Sequence, residues 1–211
     1  MEERRNMMPK SAEFSHYFAE RPSSKPRFRL IYTQLRGMQF RFVTASGVFS
    51  KKRVDLGTKL LIESMILPDE GYVLDIGCGY GAIGIVAAAL NPKLFVFMVD
   101  VNERAVKLAK KNAELNGVKN IEVRRGHLYE PVKDIAFNCI LSNPPVSAGI
   151  KVLREIIFEA PRHMVNKATL QMVLRSKIVD KRLIGIFEEA LGNCTILARG
   201  SGYRVLMAEK K

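Results

Sequence analysis

Residues 73–85 read VLDIGCGYGAIGI. An apolar run ends in a turn that holds Gly77, Gly79 and Gly81, and the apolar, small-residue stretch AIGIVAAAL follows at once. Glycine has no Cβ, so such a turn accepts positive φ and lets a ligand approach the backbone. A strand, a glycine turn and a helix in this order begin a nucleotide-type α/β unit. The glycines alone are ambiguous, because Gly79, Gly81 and Gly84 also satisfy G-x-G-x-x-G, the dinucleotide pattern. Asp75 favours a different ligand. It stands two residues before Gly77, where a carboxylate suits a cationic amino group and offers nothing to a pyrophosphate. Its competing role is to cap the loop amides.

The same rhythm continues on both sides. YVLDI, LFVFMVD, IEVRR, FNCILS and TLQMVLR are short apolar or alternating runs, separated by the helix-like AIGIVAAAL, ERAVKLAKKNAELNG and VLREIIFEA. Alternation of this kind predicts an α/β fold with a mostly parallel sheet and helices on both faces. NCTILARG and GYRVLMAEK, joined through Gly200 and Gly202, predict a closing pair that includes an antiparallel strand. Upstream, Leu56 to Leu67 carries apolar residues at helical spacing until Pro68 ends the pattern. RLIYTQLRGMQFRFVT predicts two short strands meeting near Gly37, and residues 1–26 read as a polar arm.

With 211 residues, 47% of them apolar, the chain can bury one good core. No apolar stretch approaches the roughly 20 residues of a membrane span, and Met1 to Lys10 is charged, so a cytoplasmic protein without a membrane partner is expected. Cys78, Cys139 and Cys194 are far apart and lack C-x-x-C spacing, which predicts small buried residues, neither a disulfide framework nor a metal site.

The net charge of +13 points to a polyanionic partner. From Arg21 to Arg53 the chain contains Arg27, Arg29 and Arg41 among nine cations and no Asp or Glu, interleaved with Phe28, Tyr32, Phe40, Phe42 and Phe49. Cations and ring faces together suit phosphates and unstacked bases, so RNA is the expected partner. For Phe40 and Phe42, alternating in QFRFV, the stronger expectation is the buried face of a strand.

In a sheet of this class, ligands gather beyond the carboxyl ends of the strands. Asp100 closes LFVFMVD about 20 positions after the glycine turn, where an acid can accept from ribose hydroxyls. GHLYEP places His127 and Leu128 to flank a base, with no acid or base role for His127. The fourth strand end is NPPV, residues 143–146. Two prolines fix φ and press the residue before them into an extended conformation, so Asn143 is presented by a stiff loop.

DIGCGYG, the Asp100 strand end and NPPV, in this order, resemble the class I S-adenosylmethionine-dependent methyltransferases that modify exocyclic amino nitrogens. GVFSKKRVDLGTKLLIE, residues 47–63, resembles more narrowly the small-subunit ribosomal RNA guanine-N2 methyltransferases and their compact archaeal relatives. The resemblance covers roughly Phe14 to the C-terminus. It implies a Rossmann-like seven-stranded sheet over residues 56–211, the methyltransferase domain, preceded by a basic arm and hairpin over 1–55. It also implies that Gly77, Gly79 and Gly81 approach the methionine part of S-adenosylmethionine, with Asp75 on its amino group. Asp100 and Val101 would hold the ribose, and His127 and Leu128 would border the adenine. Asn143, Pro144 and Pro145 would grip the target nitrogen next to the cofactor, and Phe49 and Ser50 would line the entrance, supported by Asp55 and Thr58. Val146, Arg27, Arg29 and Arg41 complete the substrate side. The chain departs from the family twice. His127 stands where an acid is common, and Val146 stands where many members have an aromatic that stacks on the base, so stacking falls to Phe49 or the hairpin.

The chemistry implied is direct, in-line N-methylation of guanine N2 or cytosine N4 in RNA. Three other readings stay open: protein glutamine N-methylation, which gives no reason for the acid-free basic stretch; an NAD-dependent oxidoreductase, which leaves NPPV unexplained; and a nonenzymatic RNA-binding or ribosome-assembly protein.

Overall fold

The structure, a computed structural model, describes residues 25–50, 52–144 and 149–211. The arm over residues 1–24, with Arg21, and the loop residues Pro145 and Val146 lie outside the described residues. Strands β1 (Phe28–Leu35) and β2 (Met38–Ala45) form the antiparallel hairpin. Helix α1 (Leu56–Ser64) leads into β3 (Gly71–Ile76), α2 (Ala82–Leu90), β4 (Leu94–Asp100), α3 (Glu103–Leu115), β5 (Ile121–Arg125) and β6 (Phe137–Ser142). Helix α4 (Gly149–Glu159), β7 (Met164–Arg175), α5 (Lys181–Leu191), β8 (Thr195–Gly200) and β9 (Tyr203–Glu209) complete the chain.

The seven-stranded sheet runs in the order β5-β4-β3-β6-β7-β9-β8. Strands β3 to β7 pair in parallel, and β9 runs antiparallel to both β7 and β8. Parallel strands need helical crossovers, which cover both faces and explain why β3 and β4 are nearly continuous apolar runs. Alternate residues supply opposite faces. Val73, Val96, Met98 and Leu141 join one core with α1, α2 and α3. Leu74, Phe97, Val99 and Ile140 join the other with α4 and α5. The chain steps outward from β3 to β5 and then returns to β6 on the other side of β3, so the order reverses between β3 and β6. That reversal opens a crevice at the carboxyl ends of the strands.

Phe40 and Phe42 are buried and stack on each other with centroids 5.9 Å apart, so the strand reading holds and they are not base contacts. The hairpin's inner face belongs to the same core as α1 to α3. It is fastened to α3 by side-chain amides that imitate a neighbouring strand. Asn112 accepts from Val43 N at 2.7 Å and donates to Val43 O, while Asn116 accepts from Arg41 N and donates to Arg41 O.

Three expectations need correction. The helix starting at Leu56 ends at Ser64 and does not reach Leu67. Buried Gln171 on β7 accepts from Ile66 N and donates to Ile66 O, drawing that backbone into an extended path beside the sheet. Helix α5 was not foreseen, and β7 begins at Met164, earlier than TLQMVLR. Of the cysteines, Cys78 and Cys139 are buried, whereas Cys194 is only half-buried.

Candidate active site

The glycine turn links β3 to α2. Gly77, Gly79 and Gly81 have φ of 70°, 58° and 92°. A Cβ on Gly77 or Gly79 would meet nothing within 4 Å, so positive φ selects glycine there and the turn keeps an open face toward the crevice. Gly77 N and Cys78 N donate to Val99 O, which ties the turn to β4.

Asp75 lies beneath this turn and is fully buried. Its Oδ2 accepts from Gly84 N at 2.9 Å, so the capping role is realised for one oxygen. Oδ1 is buried and has no hydrogen-bond partner among the described residues. Burial pushes the carboxyl up to about 7, with the Asp100 charge adding to the rise and the Gly84 amide opposing it. A buried acceptor without a donor is costly. A cationic amino group at Oδ1 would remove that cost and hold the carboxylate ionised, so the site fits the amino-acid end of S-adenosylmethionine.

At the next strand end, Asp100 Oδ2 accepts from Gly79 N and Oδ1 from Asn102 N, each at 2.8 Å. Burial raises this carboxyl against those two amides. Both oxygens are fixed in direction, and each retains a lone pair for a hydroxyl donor. Val101 is half-buried beside it. Gly126 N donates to Asp100 O, which brings the turn after β5 against the same strand end. In that turn Leu128 adopts φ of 44° and packs on the second core. The His127 ring is exposed, with Nδ1 3.5 Å from Glu155 Oε1.

The fourth strand end completes the crevice. Ser142 Oγ donates to Ile76 O at 2.9 Å, locking the end of β6 to the end of β3. Asn143 follows, half-buried, and Pro144 is buried. The Asn143 Nδ2 donates to Thr58 Oγ1 at 2.7 Å and to Asp55 Oδ2 at 3.3 Å. With both amide protons engaged, Oδ1 is the atom left to accept from a ligand. Asp55 and Thr58, expected to support the Phe49 segment, hold Asn143 through these bonds.

Phe49 is 49% exposed, and Ser50 has φ of 58° with its Oγ donating to Arg53 O. This segment is fixed beside α3, where Asn102 Nδ2 donates to Gly47 O and Arg104 donates to Ser46 O. Arg27 and Arg29 are exposed. The Arg41 guanidinium donates to Leu115 O at the end of α3, a structural engagement that the sequence did not suggest. The strand register puts Phe28, Leu30 and Tyr32 on the hairpin's outer face, with Arg41 opposite Tyr32. All three apolar side chains are exposed. Tyr203 was also not foreseen. Its hydroxyl reaches Asp55 Oδ1 at 3.5 Å from 148 residues away in sequence, a pairing with no local signature.

The chain is similar in sequence and fold to known proteins. Residues 39–207 match the family model "Methyltransferase small domain". The uncharacterized protein YbxB of Bacillus subtilis is 39% identical over 197 residues, covering 92% of this chain and 98% of YbxB. Ribosomal RNA small subunit methyltransferase C of Aliivibrio salmonicida is 28% identical, covering 97% of this chain and 62% of that protein. Among solved structures, the T. thermophilus 16S rRNA N2 methyltransferase RsmC in complex with AdoMet and guanosine superposes with a TM-score of 0.79 at 25% identity, covering 90% of this chain and 53% of that one. The chain therefore spans nearly all of YbxB but only 62% and 53% of the two named methyltransferases. With the family model matching most of its length and a Rossmann-like sheet in the expected order, the chain belongs to the methyltransferase small domain family.

Proposed function

We propose that the protein is an S-adenosylmethionine-dependent N-methyltransferase acting on an exocyclic base amino group of small-subunit ribosomal RNA, with guanine N2 as the favoured target. One observation carries this reading. The Asn143 amide is held by its nitrogen, which leaves its oxygen to accept from an incoming N–H. The resemblance to the T. thermophilus enzyme seen with AdoMet and guanosine supports guanine over cytosine.

Asp75 Oδ1 would accept from the cofactor's amino group, Asp100 would hold its ribose, and the backbone at 127–128 would border its adenine. When bound, the cofactor supplies an electrophilic methyl group on a positively charged sulfur. An amino group on a base is a poor nucleophile, because its lone pair is delocalised into the ring. If Asn143 Oδ1 and the Pro144 carbonyl each accept one N–H, the nitrogen is drawn out of the ring plane and its lone pair is aimed at the methyl group. Orientation of this kind can contribute up to about 7–11 kcal/mol in favourable cases. The same acceptors stabilise the positive charge that develops on nitrogen. The nitrogen–carbon bond forms as the sulfur–carbon bond breaks, and the surplus proton passes to water. The exposed Arg27 and Arg29, with Phe28 and Tyr32 on the hairpin, supply phosphate and stacking contacts for the RNA.

Mass-spectrometric nucleoside mapping of small-subunit ribosomal RNA from cells with and without the protein tests this. The reading expects one N2-methylguanosine to disappear with the protein. Loss of an N4-methylcytidine would reassign the target base, and an unchanged methylation pattern would overturn the reading.

A further inference from the structure

The turn DLGT, residues 55–58, caps α1 and also contacts the site. Asp55 Oδ2 accepts from Gly57 N at 2.9 Å and from Thr58 N at 3.2 Å, an N-cap that fixes the carboxylate. The same oxygen faces Asn143 Nδ2, and Oδ1 accepts from the Tyr203 hydroxyl. Burial, with the Asp55 charge beside it, keeps that hydroxyl protonated above its ordinary range, so it donates. The Tyr203 ring packs against Gly57, where a Cβ would lie 2.8 Å from two ring carbons. Arg175 covers the ring, its guanidinium carbon 5.4 Å from the centroid. Thr58 then offers Asn143 the shorter of its two bonds, 2.7 Å.

A planar amide can be turned over with almost no change in shape. Turned over, Asn143 would set its oxygen against the Asp55 carboxylate, acceptor against acceptor, and would point a donor at the substrate's own N–H groups. The clamp works in one orientation, and among the described residues it is the Asp55 carboxylate, able only to accept, that distinguishes the two, while the Thr58 hydroxyl fixes the amide in place.

We propose that Asp55, Thr58 and Tyr203 are positioning residues that lock the Asn143 amide with its oxygen toward the substrate. The lock rests on the methyl-transfer reading above. It also accounts for the residue types at these positions: an acid that serves as both cap and acceptor, a glycine that admits the tyrosine ring, and a hydroxyl at the third helical position. The Asp55 charge further polarises the amide through its N–H, strengthening the oxygen as an acceptor.

Thr58→Val tests the lock, since it keeps the branched shape and removes the hydroxyl to which Asn143 Nδ2 donates. Initial rates of tritiated methyl transfer from S-adenosylmethionine to unmodified small-subunit ribosomal RNA give kcat and the KM for RNA, and calorimetry gives cofactor affinity. Loss of one such bond lowers kcat about tenfold, with KM and cofactor affinity within about twofold, and Thr58→Ser restores kcat. Tyr203→Phe lowers kcat about threefold in the same pattern. Thr58→Ala is measured alongside, so a folding defect in the valine variant leaves a second variant to decide. Full kcat in folded Thr58→Val or Thr58→Ala overturns the lock, as does cofactor affinity falling in step with kcat. Asn143→Ala keeps the two ideas apart: turnover retained there means the clamp reading is wrong, whereas turnover abolished there but intact without the Thr58 acceptor removes only the lock.

Discussion

Asp75 makes the protein without cofactor sensitive to pH in a specific direction. Its carboxyl rises from the ordinary 3.8 to about 7, chiefly through burial, while one oxygen stays bonded to Gly84 N. In the folded state the proton is held more tightly than in the unfolded chain, so stability falls as pH climbs from 3.8 toward 7 and levels off above it. At about 1.4 kcal/mol per pH unit, the full cost is about 4 kcal/mol, with about 2–3 kcal/mol of it appearing between pH 5 and 8.5. Asp75→Asn keeps an oxygen for Gly84 N and cannot ionise. Urea unfolding of wild type and Asp75→Asn across that range isolates Asp75 together with its coupling to Asp100, because titrating groups remote from it cancel in the difference. The stability of wild type relative to the variant should drop by about 2–3 kcal/mol on going from pH 5 to 8.5, equivalent to about 5–10 °C in Tm for a chain of this size. Saturating S-adenosylmethionine should shrink the drop in wild type. A difference that stays constant with pH would refute the buried, partly orphaned carboxylate.

Further outcomes follow from the same geometry. Gly84→Ala places a Cβ 2.5 Å from Met98 Sδ, a fully buried side chain; it should cost about 1–3 kcal/mol in urea unfolding, and a neutral substitution would mean α2 sits further from the sheet than described. Asn112→Ala removes the bonds to Val43 N, Val43 O and Tyr80 O; it should cost about 3 kcal/mol and raise hydrogen exchange in β2 before the central sheet, whereas uniform loss of protection would contradict independent docking of the hairpin. Paired Arg27→Ala and Arg29→Ala substitutions should weaken RNA binding and flatten its salt dependence by about two counterions, and a wild-type affinity insensitive to salt would remove the hairpin as the RNA face.

The central sheet was legible because strands buried on both faces read as dense apolar runs, and glycine or proline punctuates them. AIGIVAAAL became α2 at Ala82–Leu90 without adjustment. Helix α5 was legible in principle, since Leu183, Ile186 and Phe187 are buried at helical spacing between the cap Asp180 and the left-handed Gly192. The early end of α1 was not legible, because it depends on Gln171, 105 residues away. The strand-end residues Asp75, Asp100 and Asn143 were found because topology alone brings such ends together. What escaped is the way they are held. The amides of Asn112 and Asn116 that dock the hairpin, and the convergence of Asp55, Thr58 and Tyr203 near Asn143, join residues about 70 to 150 positions apart and leave no periodic trace. Arg41 carries a bond that its charge alone does not reveal, from its guanidinium to Leu115 O at the end of α3.

The most direct test of the clamp is single-turnover methyl transfer to unmodified small-subunit ribosomal RNA by wild type and Asn143→Ala, with S-adenosylmethionine affinity measured on the same preparations. The account predicts that the substitution abolishes transfer while cofactor affinity stays within a few-fold. Transfer at the wild-type rate, or loss of cofactor binding in equal measure, would contradict it.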